Sequence, residues 1–294
     1  MKSEQQNLFY KSKIQVFCQS SSFRHFHSYI KEDSFLFRKL QLPENPRIIS
    51  LIGGGGKTSS MYRLAEEYAA LGKKVLLTTS THILVPPPEI VPILLYYPAS
   101  LEQLSDAFTR SSIVALGAKE KPGKLSKIPI SFFPKALEIA DIILCEADGA
   151  RKLPIKAPAP HEPAIVPDSD AIIIVTGLSC LNQPLKEVCH RKKLAARLLS
   201  CTPSAKLTPS DVAALISNSN GLMKGLSSQP DKVHVFLNQA DTKELHASGE
   251  MIKQLLLQKG LSQVLVGSLH LDFTTLPPTG RSYQGNTCEP SHHR

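Results

Sequence analysis

"ISLIGGGGKTSS", residues 49–60, runs from an apolar stretch through four glycines into a Lys-Thr pair, and a helical pattern follows it. The long phosphate-loop spacing, G-x-x-x-x-G-K-[ST], needs a glycine where this chain has Leu51. The shorter G-x-x-G-K-[ST] fits at Gly53, Gly56, Lys57 and Thr58, the spacing associated with Mur-ligase-type and related ATP or GTP sites. The chemistry is unchanged by the shortening. Backbone without side chains at Gly53, Gly54, Gly55 and Gly56 lets N–H groups converge on phosphate oxygens, and the helix that follows, Ser59 included, offers its positive end. Lys57 neutralises phosphate charge, and Thr58 is placed to ligate Mg²⁺. A flexible glycine turn is the alternative, but the order strand, glycines, Lys-Thr, helix argues against it.

On either side of this stretch, "RIISLI" (47–52) reads as a strand, "SSMYRLAEEYAALG" as a helix ending at Gly72, and "KKVLLTTSTHI" as a second strand. Such a βαβ unit implies parallel pairing with a right-handed crossover. Further strands are expected at "VPILLYY", "SIVALG", "ADIILCEADG", "DAIIIVTGL", "KVHVFLNQAD" and "SQVLVGSLH". Helices are expected at "SLEQLSDAFTR", "SFFPKALEIA", "PLKEVCHRKKLAARLLS", "TPSDVAALISNS" and "KELHASGEMIKQLLLQKG". The alternation predicts an α/β fold, a P-loop NTPase-like three-layer sandwich with a mostly parallel sheet. Sheets of this kind bind ligands at the C-terminal ends of their strands, so the residues closing each strand are the candidates for chemistry.

The second strand closes on "TTSTH", Thr78 to His82, whose hydroxyls suit either a phosphate or a strand rim. "ADIILCEADG" closes on Glu146 and Asp148, two apart and therefore on one face of an extended chain. A carboxylate just past a buried strand is the Walker-B arrangement, in which one acid supports Mg²⁺ or its water while the other orients an attacking group. A proline-rich stretch follows with Arg151, Lys152, Lys156, His161 and Glu162, cations suited to an anionic substrate. Arg151 leads among them, because a guanidinium grips phosphate or carboxylate at two points. "KVHVFLNQAD" closes on Asn238-Gln239-Ala240-Asp241, which resembles the N-K-x-D guanine motif with Gln in place of Lys. An aspartate such as Asp241 accepts from guanine N1–H and N2 together, whereas adenine has no donor at either place. Gly267 and Ser268 are expected to meet the other edge of the base. Chance also produces N-x-x-D after a strand, so ATP stays open beside GTP. His190 and Arg191 receive no role from spacing alone.

At 294 residues with a net charge of +9, the chain has room for one large α/β domain with additions, and its composition is that of a globular protein. No apolar run approaches the roughly 20 residues of a membrane helix, and the first forty residues lack the continuous apolar region of a secretory signal. Six cysteines, at 18, 145, 180, 189, 201 and 288, show neither C-x-x-C nor zinc spacing, which points to reduced thiols in a cytoplasmic protein. Cys145 reads as a small buried hydrophobe within its strand. Basic residues are spread along the chain without a recognised binding module, which argues against nucleic acid as the partner. Three segments are expected: a weakly ordered extension over 1–34, a nucleotide-binding domain over 35–275, and a flexible tail over 276–294.

Taken together, "IISLIGGGGKTS", "KKVLLTTSTHI", "LCEADGARKLPIKAPAPHEPAIVP", "VTGLSCLNQPL" with the later "CHR", and "FLNQAD" resemble the YqeC family, accessory proteins of selenium-dependent molybdenum hydroxylases. The resemblance runs from about residue 35 to about residue 270, and "EADGARKLPIKAP" is its most distinctive part. It implies a P-loop-type protein of selenium cofactor biosynthesis, with a molybdenum hydroxylase or its maturation proteins as partner. Gly53 to Thr58 carry over as the nucleotide loop, and Glu146, Asp148 and Arg151 as part of the signature. The expected activity is Mg²⁺-dependent binding and hydrolysis of a nucleoside triphosphate, with Lys57, Glu146, Asp148 and Arg151 as catalytic residues, Thr58, Asp148 and Glu146 at the metal, and Asn238 and Asp241 at the base. Two alternatives stand beside it: a Mur-ligase-like or kinase-like phosphoryl transferase on a small anionic substrate, and a non-catalytic nucleotide sensor that binds a partner.

Overall fold

The computed structural model describes residues 35–271. The extension expected over 1–34 and the tail expected over 276–294 lie outside the described residues. Strand β1 (Ile48–Gly53) is buried along its whole length, as a central strand covered on both faces must be. Helix α1 (Leu36–Lys39) precedes it and α2 (Lys57–Ala70) follows the glycines. Gly72, with φ +79, turns the chain out of α2, as expected of the glycine that ends a helix.

The expected second strand is divided into β2 (Val75–Thr79) and β3 (His82–Leu84). Next come β4 (Ile93–Tyr97), α3 (Leu101–Arg110), β5 (Ile113–Lys119) and β6 (Lys124–Ser126). Ser100 and Gln103 cap α3 reciprocally, the local reason that this helix starts where it does. "SFFPKALEIA" yields only the short α4 (Phe133–Ala136) behind a 3₁₀ turn, less helix than its pattern implied. Strand β7 (Ile142–Glu146), the two-residue β8 (Ile155–Lys156) and β9 (Ala171–Gly177) follow. The single helix expected at "PLKEVCHRKKLAARLLS" is instead α5 (Leu185–Val188), β10 (Cys189–His190) and α6 (Lys192–Leu198). Its middle leaves the helix to pair with β8, Cys189 opposite Ile155 and His190 opposite Lys156. Helix α7 (Pro209–Ser217), β11 (Val233–Asn238), α8 (Lys243–Gln258) and β12 (Val264–Val266) complete the described chain.

Ten strands form one sheet in the order β12-β11-β9-β1-β7-β2-β5-β6-β3, with β4 on β5. Every pairing among β12, β11, β9, β1, β7, β2, β5 and β4 is parallel, and β6 alone runs against them, pairing antiparallel with both β5 and β3. The step from β1 to β2 goes one way along the sheet, while those from β4 to β5 and β11 to β12 go the other. Right-handed crossovers therefore place α2 on one face and α3 and α8 on the opposite one. Core contacts agree. Helix α2 packs on β1, β2 and β7, while Ile252 and Leu256 of α8 join Ile52, Ile174 and Val235 from the sheet, and Leu104 and Phe108 of α3 join Leu76 and Ile143. The three-layer α/β architecture expected from the alternation is the one found.

From β1 the chain departs towards β2, and from β9 it departs towards β11, so the direction of winding reverses between these adjacent strands. A reversal of this kind leaves a crevice beyond the strand ends. Register aligns that edge: Gly53 opposes Val175, Glu146 opposes Leu51 and Thr79, and Asn238 opposes Gly177. The glycine loop, the carboxylates and "NQAD", distant in sequence, thus reach one rim.

Candidate functional site

The four glycines are needed first for packing. A Cβ on Gly53 would lie 2.2 Å from the Val175 carbonyl oxygen, on Gly54 2.6 Å from that of Leu153, and on Gly55 2.2 Å from the Gly177 nitrogen. Gly53, Gly55 and Gly56 also hold φ values of +98, +73 and +123, where a side chain is strained. Three of the loop N–H groups have protein acceptors. Gly53 donates to Asp148, Gly54 to the Val175 carbonyl at 2.8 Å, and Gly55 to the Leu153 carbonyl at 3.0 Å. None of the described residues accepts from the N–H groups of Gly56, Lys57, Thr58 and Ser59, which open α2 at its positive end, where an anion is favoured.

Lys57 is buried and points back along the loop, donating to the Gly53 carbonyl at 2.8 Å. Its ammonium stands 3.2 Å from Asp148 and 3.6 Å from Glu146. Burial works against the Lys57 charge, but the Asp148 and Glu146 carboxylates outweigh it and hold the ammonium above its usual range. Burial pushes the Glu146 carboxyl up, against the pull of Lys57 and the Thr58 hydroxyl. Thr58 donates to Glu146 Oε2 at 2.6 Å. A hydroxyl and a carboxylate side by side at a helix N-terminus are the oxygen donors that a partly hydrated Mg²⁺ takes, so these two residues fit the ion. Among the described residues, no group of three or more His, Cys, Asp or Glu is arranged to hold a metal.

Asp148 is placed differently from its expected role. It is fully buried, with Gly53 N–H and Lys57 on one side and Lys156 Nζ 3.0 Å from Oδ2 on the other. The carboxylate at the Thr58 position is Glu146. Lys156 departs further from expectation, since it has no exposure with which to meet a substrate. Its ammonium donates to Glu162 and to the Gly149 carbonyl and forms an ion pair with Asp148. Glu162 then receives Arg191 in a two-point pair, at 2.7 and 2.8 Å. Burial alone would raise the Glu162 carboxyl, but Lys156 and Arg191 bring it down to about 2. The result is an alternating ladder, Glu146, Lys57, Asp148, Lys156, Glu162, Arg191, leading from the phosphate loop outward. From the sequence alone Lys156 and Glu162 read as loop charges, and Arg191 has no role. The signal that joins them is the β8–β10 pairing, which no local pattern announces.

Thr78 donates to the Leu116 carbonyl, Thr79 to that of Glu146 and Ser80 to that of Ala164, so these hydroxyls tie the rim together. Arg151 and His161 are exposed at a neighbouring cleft. Cys145 is sealed in β7, and burial pushes its thiol up to about 12, in keeping with a small hydrophobe. At the far side, Asn238 is a brace: its side-chain amide donates to the Gly55 carbonyl at 2.8 Å and its oxygen accepts from Leu269 N–H at 3.1 Å. Asp241, exposed, accepts from Ser268 at 2.6 Å. Gln239, at φ +65, accepts from Ser179 at 2.6 Å. The "NQAD" turn and the 267–269 loop therefore do meet, beside the glycine loop.

A glycine loop opening a helix next to a strand that ends in carboxylates, within a doubly wound parallel sheet, defines the phosphate-loop class of α/β proteins. Fold and site are compatible with nucleotide binding. A family model described as "YqeC protein" matches residues 49–193. The Escherichia coli (strain K12) protein named "Uncharacterized protein YqeC" is 32% identical over 247 residues, spanning 82% of this chain and 94% of its own length. This chain belongs to the YqeC family. Among solved structures, FtsY from Mycoplasma mycoides is 16% identical and covers 83% of this chain and 70% of its own, with a TM-score of 0.36. Among the described residues no helix is long and apolar enough to cross a membrane.

Proposed function

We propose that the protein binds a nucleoside triphosphate with Mg²⁺ and hydrolyses it, as an accessory protein in selenium cofactor biosynthesis for molybdenum hydroxylases. The observation that carries the nucleotide part is the opening turn of α2: N–H groups from Gly56 to Ser59 without acceptors among the described residues, Lys57 beneath them, and the Thr58–Glu146 pair beside them. Bound Mg²⁺ would neutralise the phosphates and draw charge from the breaking bond. Lys57 leaves its carboxylates to meet phosphate oxygens, and Thr58 and Glu146 hold the metal. Asp148 fixes the Gly53 amide and the base of the Lys57 stem, a positioning role. The selenium part rests on the family resemblance alone.

The Asn238 brace ties the "NQAD" turn to the glycine loop, and Ser268 engages one oxygen of Asp241, an arrangement that supports GTP over ATP. Binding of fluorescent GTP and ATP analogues with Mg²⁺ tests this. Selective GTP binding, weakened at least about tenfold in Lys57→Ala and made indifferent to the base in Asp241→Ala, is the expected result. Equal affinity for both nucleotides would remove the guanine assignment. Phosphate release that is slow alone and faster with a partner protein separates hydrolysis from sensing, for which binding without release is expected.

A further inference from the structure

Beside the glycine loop lies a cleft of about 1040 Å³, lined by the 149–164 connection, the 186–194 segment, the exit of β2 and Lys127. Its size is at the upper end of small-molecule sites. Six cationic side chains line it: Lys127, Arg151, Lys186, Arg191, Lys192 and Lys193. Glu162 is the sole carboxylate among the lining residues, and Lys156 and Arg191 already hold it. Lys127, Arg151, Lys186, Lys192 and Lys193 are all exposed. His82, also in the wall, is turned to Glu120 at 2.9 Å.

The field inside the cleft registers on His190, a lining residue. Burial, then the Arg191, Lys156 and Arg151 charges, push its ring down to about 4, so it stays neutral among cations. Two of the six cations stand on left-handed backbone, Arg151 at φ 50 and Arg191 at φ 61, a conformation disfavoured for side-chain-bearing residues. Leu153, Ala164 and Leu194 give the same cleft apolar wall. Charge excess calls for a ligand of at least two negative charges, and the apolar wall calls for an organic body attached to them.

We infer that this cleft is a second binding site, for a small organic molecule carrying a phosphate or diphosphate group. It is distinct from the phosphate seat at α2, since its cations come from other segments and Lys57 is not among them. The ladder runs between the two sites, its outer member Arg191 in the cleft wall and its inner member Lys57 under the loop.

Calorimetric titration of the full chain with pyrophosphate tests the assignment, repeated on Lys57→Ala, on Lys192→Glu/Lys193→Glu and on Arg151→Glu. Two binding events are expected in the unaltered protein. Lys57→Ala removes one, and either cleft variant weakens the other at least about tenfold while thermal unfolding is unchanged. Pyrophosphate binding that the cleft variants leave intact overturns the assignment. So does a cleft-dependent response to an RNA oligonucleotide with none to pyrophosphate, which would make the patch a nucleic-acid surface. Failure of the loop reading is separate: it shows as Lys57→Ala removing no event.

Discussion

Glu162→Gln strikes the ladder at the one rung where its energetics are legible. The side chain is 6% exposed and lies between Lys156 at 2.5 Å and the Arg191 fork. A carboxyl moved from 4.5 down to about 2 corresponds to about 3 kcal/mol of folding stability. Arg191 is partly open to solvent, and screening trims the figure to about 2–3 kcal/mol. The sign follows from the direction of the shift. With its folded value depressed, Glu162 stabilises fully above its unfolded value, and that contribution fades as pH falls from 4.5 towards 2. Urea unfolding of wild type and Glu162→Gln at pH 7 should differ by about 2–3 kcal/mol, with an unchanged m-value. At pH 3 the gap should narrow to about half of that. A difference below about 0.5 kcal/mol at pH 7, or one that does not change with pH, would refute the ladder as a source of stability. A double-mutant cycle with Lys156→Met would assign the coupling to that pair, and a coupling near zero would refute it equally.

Two other expectations follow from the loop. Gly55→Ala should destabilise by about 3 kcal/mol or more in thermal unfolding, because its Cβ meets the Gly177 backbone at 2.2 Å on top of a φ of +73. Gly72→Ala, at φ +79 but with nothing within 4 Å, should cost only about 1 kcal/mol; equal losses would mean that crowding at the loop contributes nothing. Asn238→Ala should cost about 2 kcal/mol and speed hydrogen exchange at Leu269, and Asn238→Asp should not rescue it, because a carboxylate cannot donate to the Gly55 carbonyl.

How much of this was legible beforehand depended on how local the cause was. The β1–loop–α2 unit could be read because strand, glycines and helix are contiguous, and α3, α7 and α8 because Ser100, Thr208 and Thr242 cap them within a turn. The strands carrying Glu146 and Asn238 were legible as buried apolar runs ending in polar residues. Long-range pairing was not. The break of "KEVCHRKK" at Cys189 and His190 is imposed by β8, 34 residues upstream at the Ile155–Cys189 pair, against a good helical pattern. The same holds for the roles within the site. Sequence spacing showed that Glu146 and Asp148 share a face, but only the fold shows Thr58 bonded to one and Lys57 and Lys156 flanking the other.

The ladder has a consequence for how this chain can vary over descent. Lys192 and Lys193 stand at the surface, and exchanging either strands no buried partner. Lys57, Asp148, Lys156 and Glu162 cannot be treated so. Each is buried between charges of the opposite sign, and any single replacement strands a neighbour without its partner. Such a set passes through inheritance as one unit. Related chains should therefore either keep all of its members or have replaced them in matched pairs.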